Sequence, residues 1–242
     1  IVFSDGTAKI FNVENGYLLH DLSRYNGIIN CFCFSNDNNE FVLGYENGRA
    51  DIMDINCGKV IHSLKDHTGA INSVSFSINN KLLATGSWDC TTKIWDITTG
   101  LLLRTLRKFT GDVTCVIFSS DTNRIATGYI NGKIDIWDVK SGKVIKSFSG
   151  LQGGITSMNF SSDNKQLITV SSDNISMVWN LESELLLRYS KEKENWADLI
   201  LPQLQQFNCE QLMSLHPENV NKLIATKEVW QIKAFADLTA EE

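Results

Sequence analysis

Short apolar runs, broken by clusters of Gly, Asn, Asp, Ser and Thr, succeed one another from the start of the chain to about residue 189. In Thr85 to Gly100 one run ends at Ser87, a second starts near Thr92 and closes on Trp95-Asp96, and a turn covers Thr98 to Gly100. That is a hairpin followed by a further turn. The skeleton returns every 42 residues: Phe11, Met53, Trp95, Trp137 and Trp179 share one position, Gly16, Gly58, Gly100 and Gly142 a second, and Phe34-Ser35, Phe76-Ser77, Phe118-Ser119 and Phe160-Ser161 a third. Each period predicts four strands, here a to d, with a near 29–34, 71–76, 113–118 and 155–160, and b near 41–45, 82–87, 124–129 and 167–171. The register also places the end of a strand b at Ile1 to Phe3, with c and d of the same unit at about 8–13 and 17–22. Four-stranded units at this period are the blades of a β-propeller. The expected fold is all-β, with four full blades and part of a fifth, a fragment of a larger ring.

Two b–c turns carry Asn-Gly, in Gly44-Tyr-Glu-Asn-Gly48 and Gly128-Tyr-Ile-Asn-Gly132. These predict two-residue type I′ hairpins with positive φ at both central positions. Beyond Tyr189 the period ends. The predicted organisation is blades over 1–189, a polar linker over 190–195 and a short α-helical tail over 196–242. In the tail Trp196, Leu199 and Ile200 fall at helical spacing, Asn208 with Gln211 resembles a capping box, and Pro217 suits a first helical position.

The segments Thr91 to Asp96, Lys133 to Asp138 and Ser176 to Asn180 resemble the WD-repeat family, and the likeness covers roughly residues 1–189. The resemblance implies a hydrogen-bonded relay within a blade: a His before strand a, a hydroxyl on b, an Asp at the b–c turn and a Trp on c. One repeat keeps all four types, as His67, Thr85 or Ser87, Asp89 and Trp95. Elsewhere Tyr25, Phe109 and Leu151 replace the His, Asn47 and Asn131 the Asp, and Phe11 and Met53 the Trp. Those blades are expected to be held by packing.

Composition narrows the function. No apolar run approaches the ~20 residues of a membrane-spanning helix, and a net charge of −6 argues against a nucleic-acid surface. Of the six cysteines, Cys31 and Cys115 share a register position with Ser73 and Ser157, and Cys33 aligns with Ser75. They read as space fillers on strand a, since zinc sites want ligand pairs two to four residues apart. Neither metal nor cofactor is expected, and the unpaired spacing points to the cytoplasm or another reducing compartment. The linear traces of catalysis are absent: no G-x-S-x-G, H-E-x-x-H, G-x-G-x-x-G or complete P-loop. The chain therefore reads as no enzyme but a non-catalytic scaffold or adaptor for other proteins within a multiprotein complex. The alternatives are a substrate-receptor subunit of a ubiquitin ligase, for which Trp137-Asp-Val-Lys140 is a loose match, or a ribonucleoprotein or ciliary/cytoskeletal scaffold.

Two expectations concern surfaces. The tips of the b–c turns are Ser4, Glu46, Trp88, Ile130 and Ser172, and two of them are large and apolar. With Arg107 and Lys108 in a loop between blades, Trp88 and Ile130, read as lying on alternate blades, form the candidate partner-binding rim. An open fan would also expose apolar blade flanks. Further blades upstream or a covering partner are expected there, and residues 1–242 alone are expected to aggregate.

Overall fold

The 42-residue period is built as one sheet per repeat. A computed structural model describes residues 8–12, 15–22, 27–108, 111–182 and 186–188. The predicted strand at Ile1 to Phe3, the turn tip Ser4, the linker and the helical tail lie outside the described residues. The first sheet pairs β1 (Lys9–Phe11) with β2 (Leu18–Asp21). Next come β3 (Ile29–Phe34), β4 (Glu40–Tyr45), β5 (Arg49–Asp54) and β6 (Val60–Lys65). The third sheet holds β7 (Ile71–Phe76), β8 (Leu82–Ser87), β9 (Thr91–Asp96) and β10 (Leu102–Arg107). The fourth holds β11 (Val113–Phe118), β12 (Arg124–Tyr129), β13 (Ile134–Asp138) and β14 (Val144–Phe148). The fifth holds β15 (Ile155–Phe160), β16 (Gln166–Ser171), β17 (Ser176–Asn180) and β18 (Leu186–Arg188). Each four-stranded sheet is an antiparallel meander in sequence order. Successive sheets meet mainly along β3, β7, β11 and β15, so the a strands lie inside and the d strands outside. Among the described residues no helix is long and apolar enough to cross a membrane.

Burial follows that layering. The b strands β4, β8 and β12 are buried along nearly their whole length, because a neighbouring sheet covers each face, and β16 is buried to the same extent. Alternation is thereby lost, whereas the outer strands β6 and β10 are mostly exposed. One apolar cluster fills each gap between sheets. Trp95 faces Val42, Ile52 and Leu64 of the preceding sheet, Trp137 faces Ala84, Ile94 and Leu106, and Trp179 faces Ile134, Ile136 and Phe148. On the a strands the gap is so narrow that only small side chains fit. A Cβ added to Gly44 on β4 would lie 2.8 Å from Ile71 Cγ2 across the gap and 2.5 Å from Cys31 Sγ of its own sheet. Ser73 and Ser75 use the same space to accept the N–H groups of Val116 and Phe118 at 3.0 and 3.2 Å. Burial pushes the Cys31 thiol up to about 12 and that of Cys115 to about 11, so both stay protonated, and all five described cysteines are free. At the first gap the cover is thinner. Phe32 and Phe34 are 44% and 36% exposed, while their register partners Val74, Phe76, Val116, Phe118, Met158 and Phe160 are buried. An apolar cleft of about 440 Å³ opens there between Ile10, Leu22, Phe32 and Phe41.

The turns explain the polar half of the pattern. At each a–b turn a serine hydroxyl donates to an acid or amide two residues on, Ser35 to Asp37 at 2.6 Å and Ser77 to Asn79 at 2.7 Å. It also accepts the N–H five residues on, as with Glu40 and Leu82 at 2.9 Å. The fourth residue of this turn sits in the left-handed region: Asn38, Asn80, Thr122 and Asn164, at φ from 53° to 63°. Asn80 Oδ1 accepts from Asn36 N–H across the gap at 2.9 Å, and Asn164 Oδ1 from Ser120 N–H at 3.0 Å. Thr122 makes no such bridge. It is β-branched at positive φ, and its buried hydroxyl has no hydrogen-bond partner. Thr122→Asn is therefore expected to raise stability by roughly 1 kcal/mol, by relieving left-handed strain and adding the missing acceptor. Thr122→Ala, which keeps the Cβ, should gain less in denaturant midpoint, and a neutral or destabilising Thr122→Asn contradicts this reading.

The b–c turns differ from the expected type I′ hairpins. Positive φ falls on Gly48, Cys90, Gly132 and Asn174 alone, not on the preceding residue. Gly48 N–H donates to Tyr45 O at 3.2 Å and Gly132 N–H to Tyr129 O at 3.1 Å. The turn is thus a type I turn followed by a left-handed residue, a three-residue loop. Asn47 and Asn131 serve instead by accepting the N–H groups of Arg49 and Lys133. Glycine is required at 132 for a further reason: a Cβ would lie 2.3 Å from the Leu151 carbonyl oxygen.

Candidate functional site

The relay residues converge in the third sheet. Strand β9 brings Trp95 beside Thr85 on β8, and the loop before β7 lays His67 over both. Trp95 Nε1–H donates to Thr85 Oγ1 at 2.9 Å, and Thr85 Oγ1 lies 2.8 Å from His67 Nε2. His67 Nδ1 lies 2.8 Å from Asp89 Oδ2, which also accepts Thr68 N–H at 3.1 Å. With the proton on Nδ1, every polar atom has one role: Nδ1–H donates to the carboxylate and Nε2 accepts from the Thr85 hydroxyl. Burial by itself raises the Asp89 carboxyl, but hydrogen bonds from His67, Thr91 and Thr68 outweigh it and hold the group well below the usual carboxylate range. Ser87 is not a link in the chain. Its hydroxyl donates to Gly69 O at 2.8 Å and accepts Asp89 N–H at 3.1 Å, so it anchors the turn. Thr91, which the four-residue relay pattern does not include, donates to Asp89 Oδ1 at 2.5 Å. The signal for it was its place, two residues after the Asp.

A His-Asp pair resembles acid-base machinery, but here both ring nitrogens are occupied and the His67 side chain is fully enclosed. It has no route to a substrate proton. Other sheets keep fragments. Trp179 Nε1–H donates to Thr169 Oγ1 at 2.8 Å, with Leu151 in the His place. Trp137 Nε1 is buried without a partner, and Thr127 turns to Thr92 on the neighbouring sheet at 3.3 Å. The repeat-equivalent acids Asp54, Asp96 and Asp138 are engaged in c–d turns, where N–H groups of Cys57 and Thr99, and for Asp138 the Ser141 side chain first, hold their carboxyls below the ordinary range.

The rim residues form a separate surface. Trp88 and Ile130 are 54% and 53% exposed at the tips of their turns. They sit on adjacent sheets, not alternate ones, as a spacing of one period requires. Their backbones are pinned, Trp88 N–H to Ala70 O at 2.9 Å and Ile130 N–H to Asp112 O at 3.0 Å. Glu46 and Ser172 make the same bond at the same position, to Ile28 O and Gly154 O. The turn therefore has no need of an apolar tip.

The two basic residues assigned to this rim behave differently from the expectation. Arg107 is the last residue of β10, opposite Thr91, rather than a loop residue. Lys108 reaches across the gap to Asp135 Oδ1 at 2.7 Å and Ser147 Oγ at 2.6 Å, so it is a packing residue of the next sheet and not a free anchor. One gap earlier the same arrangement recurs with charges exchanged. Lys93, buried on β9, pairs with Asp66 and lies 3.3 Å from Thr105 Oγ1. Positions 66 and 108 are one period apart, as are 93 and 135.

Comparison with known proteins agrees with this geometry. A family model for the WD domain, G-beta repeat, matches residues 58–96, which enclose the complete relay. A model for the Vps8 beta-propeller matches residues 105–194. No curated protein matches the chain.

Proposed function

We propose that the chain, whose matches to the WD-domain and Vps8 beta-propeller models support a WD-repeat β-propeller family with domains that generally mediate protein–protein interactions, is a non-catalytic scaffold or adaptor within a multiprotein complex, binding a protein partner through the rim that carries Trp88 and Ile130. The observation that supports this reading is the contrast among the turn tips. Glu46 and Ser172 satisfy the turn with polar side chains, so Trp88 and Ile130 spend half their surface in water without a folding reason. Rigid aromatic and aliphatic groups on a pinned backbone suit an interface centre, because little conformational freedom is lost on binding. The exposed flank of β3, with Phe32 and Phe34, is a second place where a neighbouring blade or partner would add cover. The ubiquitin-ligase reading gains nothing from Trp137-Asp-Val-Lys140. There Asp138 closes its turn on Ser141, and the Lys140 carbonyl accepts from Arg104.

Trp88→Ala and Ile130→Ser are expected to weaken capture of the partner by more than about 1 kcal/mol each while scarcely moving Tm. Quantitative affinity purification of the full chain, paired with thermal melts, measures both. If both variants melt markedly lower and bind normally once folded, the two residues are packing and the partner uses another face.

A further inference from the structure

Four of the five described c–d hairpins break register at the same place, while β17 pairs with β18 without a shift. Between Phe11 and Ile10, Met53 and Ile52, Trp95 and Ile94, and Trp137 and Ile136, the outer strand carries one extra residue. These residues are Leu19, Ile61, Leu103 and Ile145. A β-bulge needs only a surplus residue and re-aims its side chain. Here all four are aliphatic, and all are 42% to 51% exposed. On β10 the bulge adjoins two more exposed leucines, Leu101 and Leu102. Three consecutive exposed apolar residues beside an open edge strand are what soluble sheets avoid unless the surface is used.

Charge singles out the same sector. Residues 101–148 carry eight Lys and Arg against four Asp, within a chain whose net charge is −6. All four acids are already engaged: Asp112 by Cys90, Asp121 by Ser119, Asp135 by Lys108 and Asp138 by Ser141. Arg104, Lys140 and Lys143 are exposed, and Arg104 reaches over to the Lys140 carbonyl, so the cations gather where β10 meets the outer turn of the next sheet. This place is at the far end of β10 from Trp88, since Arg107, at the other end of the strand, stands opposite Thr91.

We propose that the outer edge of β10, with the neighbouring strand β14, docks an extended segment of a partner protein that alternates aliphatic and acidic residues. Main-chain bonds to the edge strand supply the register, the bulged leucines take the aliphatic side chains, and Arg104, Lys140 and Lys143 take the acids. The surface is separate from the Trp88 rim and does not depend on it.

The test is fluorescence anisotropy of a labelled synthetic peptide of alternating Val and Glu titrated with the full chain. Saturable binding is expected, weakened by added salt, lost when a central residue of the peptide is Pro, and reduced about tenfold or more by Leu103→Ser with Lys143→Glu. Trp88→Ala should bind the peptide as the parent does. Lys143→Glu alone, on an exposed side chain, carries the test if the double variant melts low. No saturable binding, equal binding of a peptide with Lys in place of Glu, or indifference to both variants overturns the proposal. So does a surface that ignores the peptide while holding phosphatidylserine vesicles or a single-stranded oligonucleotide through the same residues, since the cations then read phosphate.

Discussion

Lys108→Ala is expected to lower stability by roughly 3 kcal/mol, near the bottom of the range for breaking a buried ion pair. Asp135 is 2% exposed, and Lys108 and Ser147 both meet its Oδ1 while Oδ2 has no partner. Removing the lysine leaves a carboxylate in the gap between sheets with one hydroxyl donor. The loss stays at the lower end because the Lys108 side chain is itself 37% exposed and water reaches it. Asp66 with Lys93 shows that the site accepts the opposite polarity, with Thr105 in the place of Ser147. Lys108→Asp combined with Asp135→Lys should therefore recover most of what each single change costs. At the next period the strand-c position is apolar, Met177. Asp135→Met with Lys108→Leu should accordingly be at least as stable as the parent, since a well-packed apolar pair matches or exceeds a buried ionic one. A double-mutant cycle in urea measures the coupling. A value below about 0.5 kcal/mol would mean the pair is incidental.

The relay yields the second large effect. Asp89→Ala should cost on the order of 1 to 3 kcal/mol, because it strips His67, Thr91 and Thr68 of their shared acceptor in a closed pocket. Asn47→Ala, whose amide meets only one exposed N–H among the described contacts, should cost less. Equal shifts in midpoint for the two contradict the idea that one sheet alone holds the full network. Acid adds a signature. The Asp89 carboxyl is held below its ordinary range, so its contribution is fully present above the unfolded pKa of about 4 and is lost as the pH falls below it. The stability gap between the parent and Asp89→Asn should thus narrow from about pH 6 towards about pH 3. A constant gap would place the ionised form outside the relay.

The period carried most of the fold. Strand positions in the described repeats were legible because Trp, Gly and Phe-Ser recur in one register, and burial of both faces of the b strands follows from that register. What a period conceals is any feature that differs while the count stays constant. The Asn-Gly turns read as two-residue loops because Asn commonly takes positive φ, whereas Cys90 and Asn174 at the Gly position show that the left-handed residue is the fourth. The exchange of Asp66 and Lys93 for Lys108 and Asp135 was invisible for a related reason: aligned repeats average charge away, and Lys108 looked like a surface cation. The bulges at Leu19, Ile61, Leu103 and Ile145 leave the period intact and surface only through the pairing. The apolar turn tips Trp88 and Ile130 are legible in the sequence because a turn tip asks for polarity and they refuse it.

Central to this account is that Trp88 meets another protein. The direct measurement is site-specific photocrosslinking, with benzoylphenylalanine placed at position 88 of the full chain and, for comparison, at 172, the polar tip of the same turn two sheets on. A discrete adduct to a second protein from position 88, weakened by Ile130→Ser and absent from position 172, is the predicted result. Adducts confined to the chain itself, or the same adducts from both positions, would contradict it.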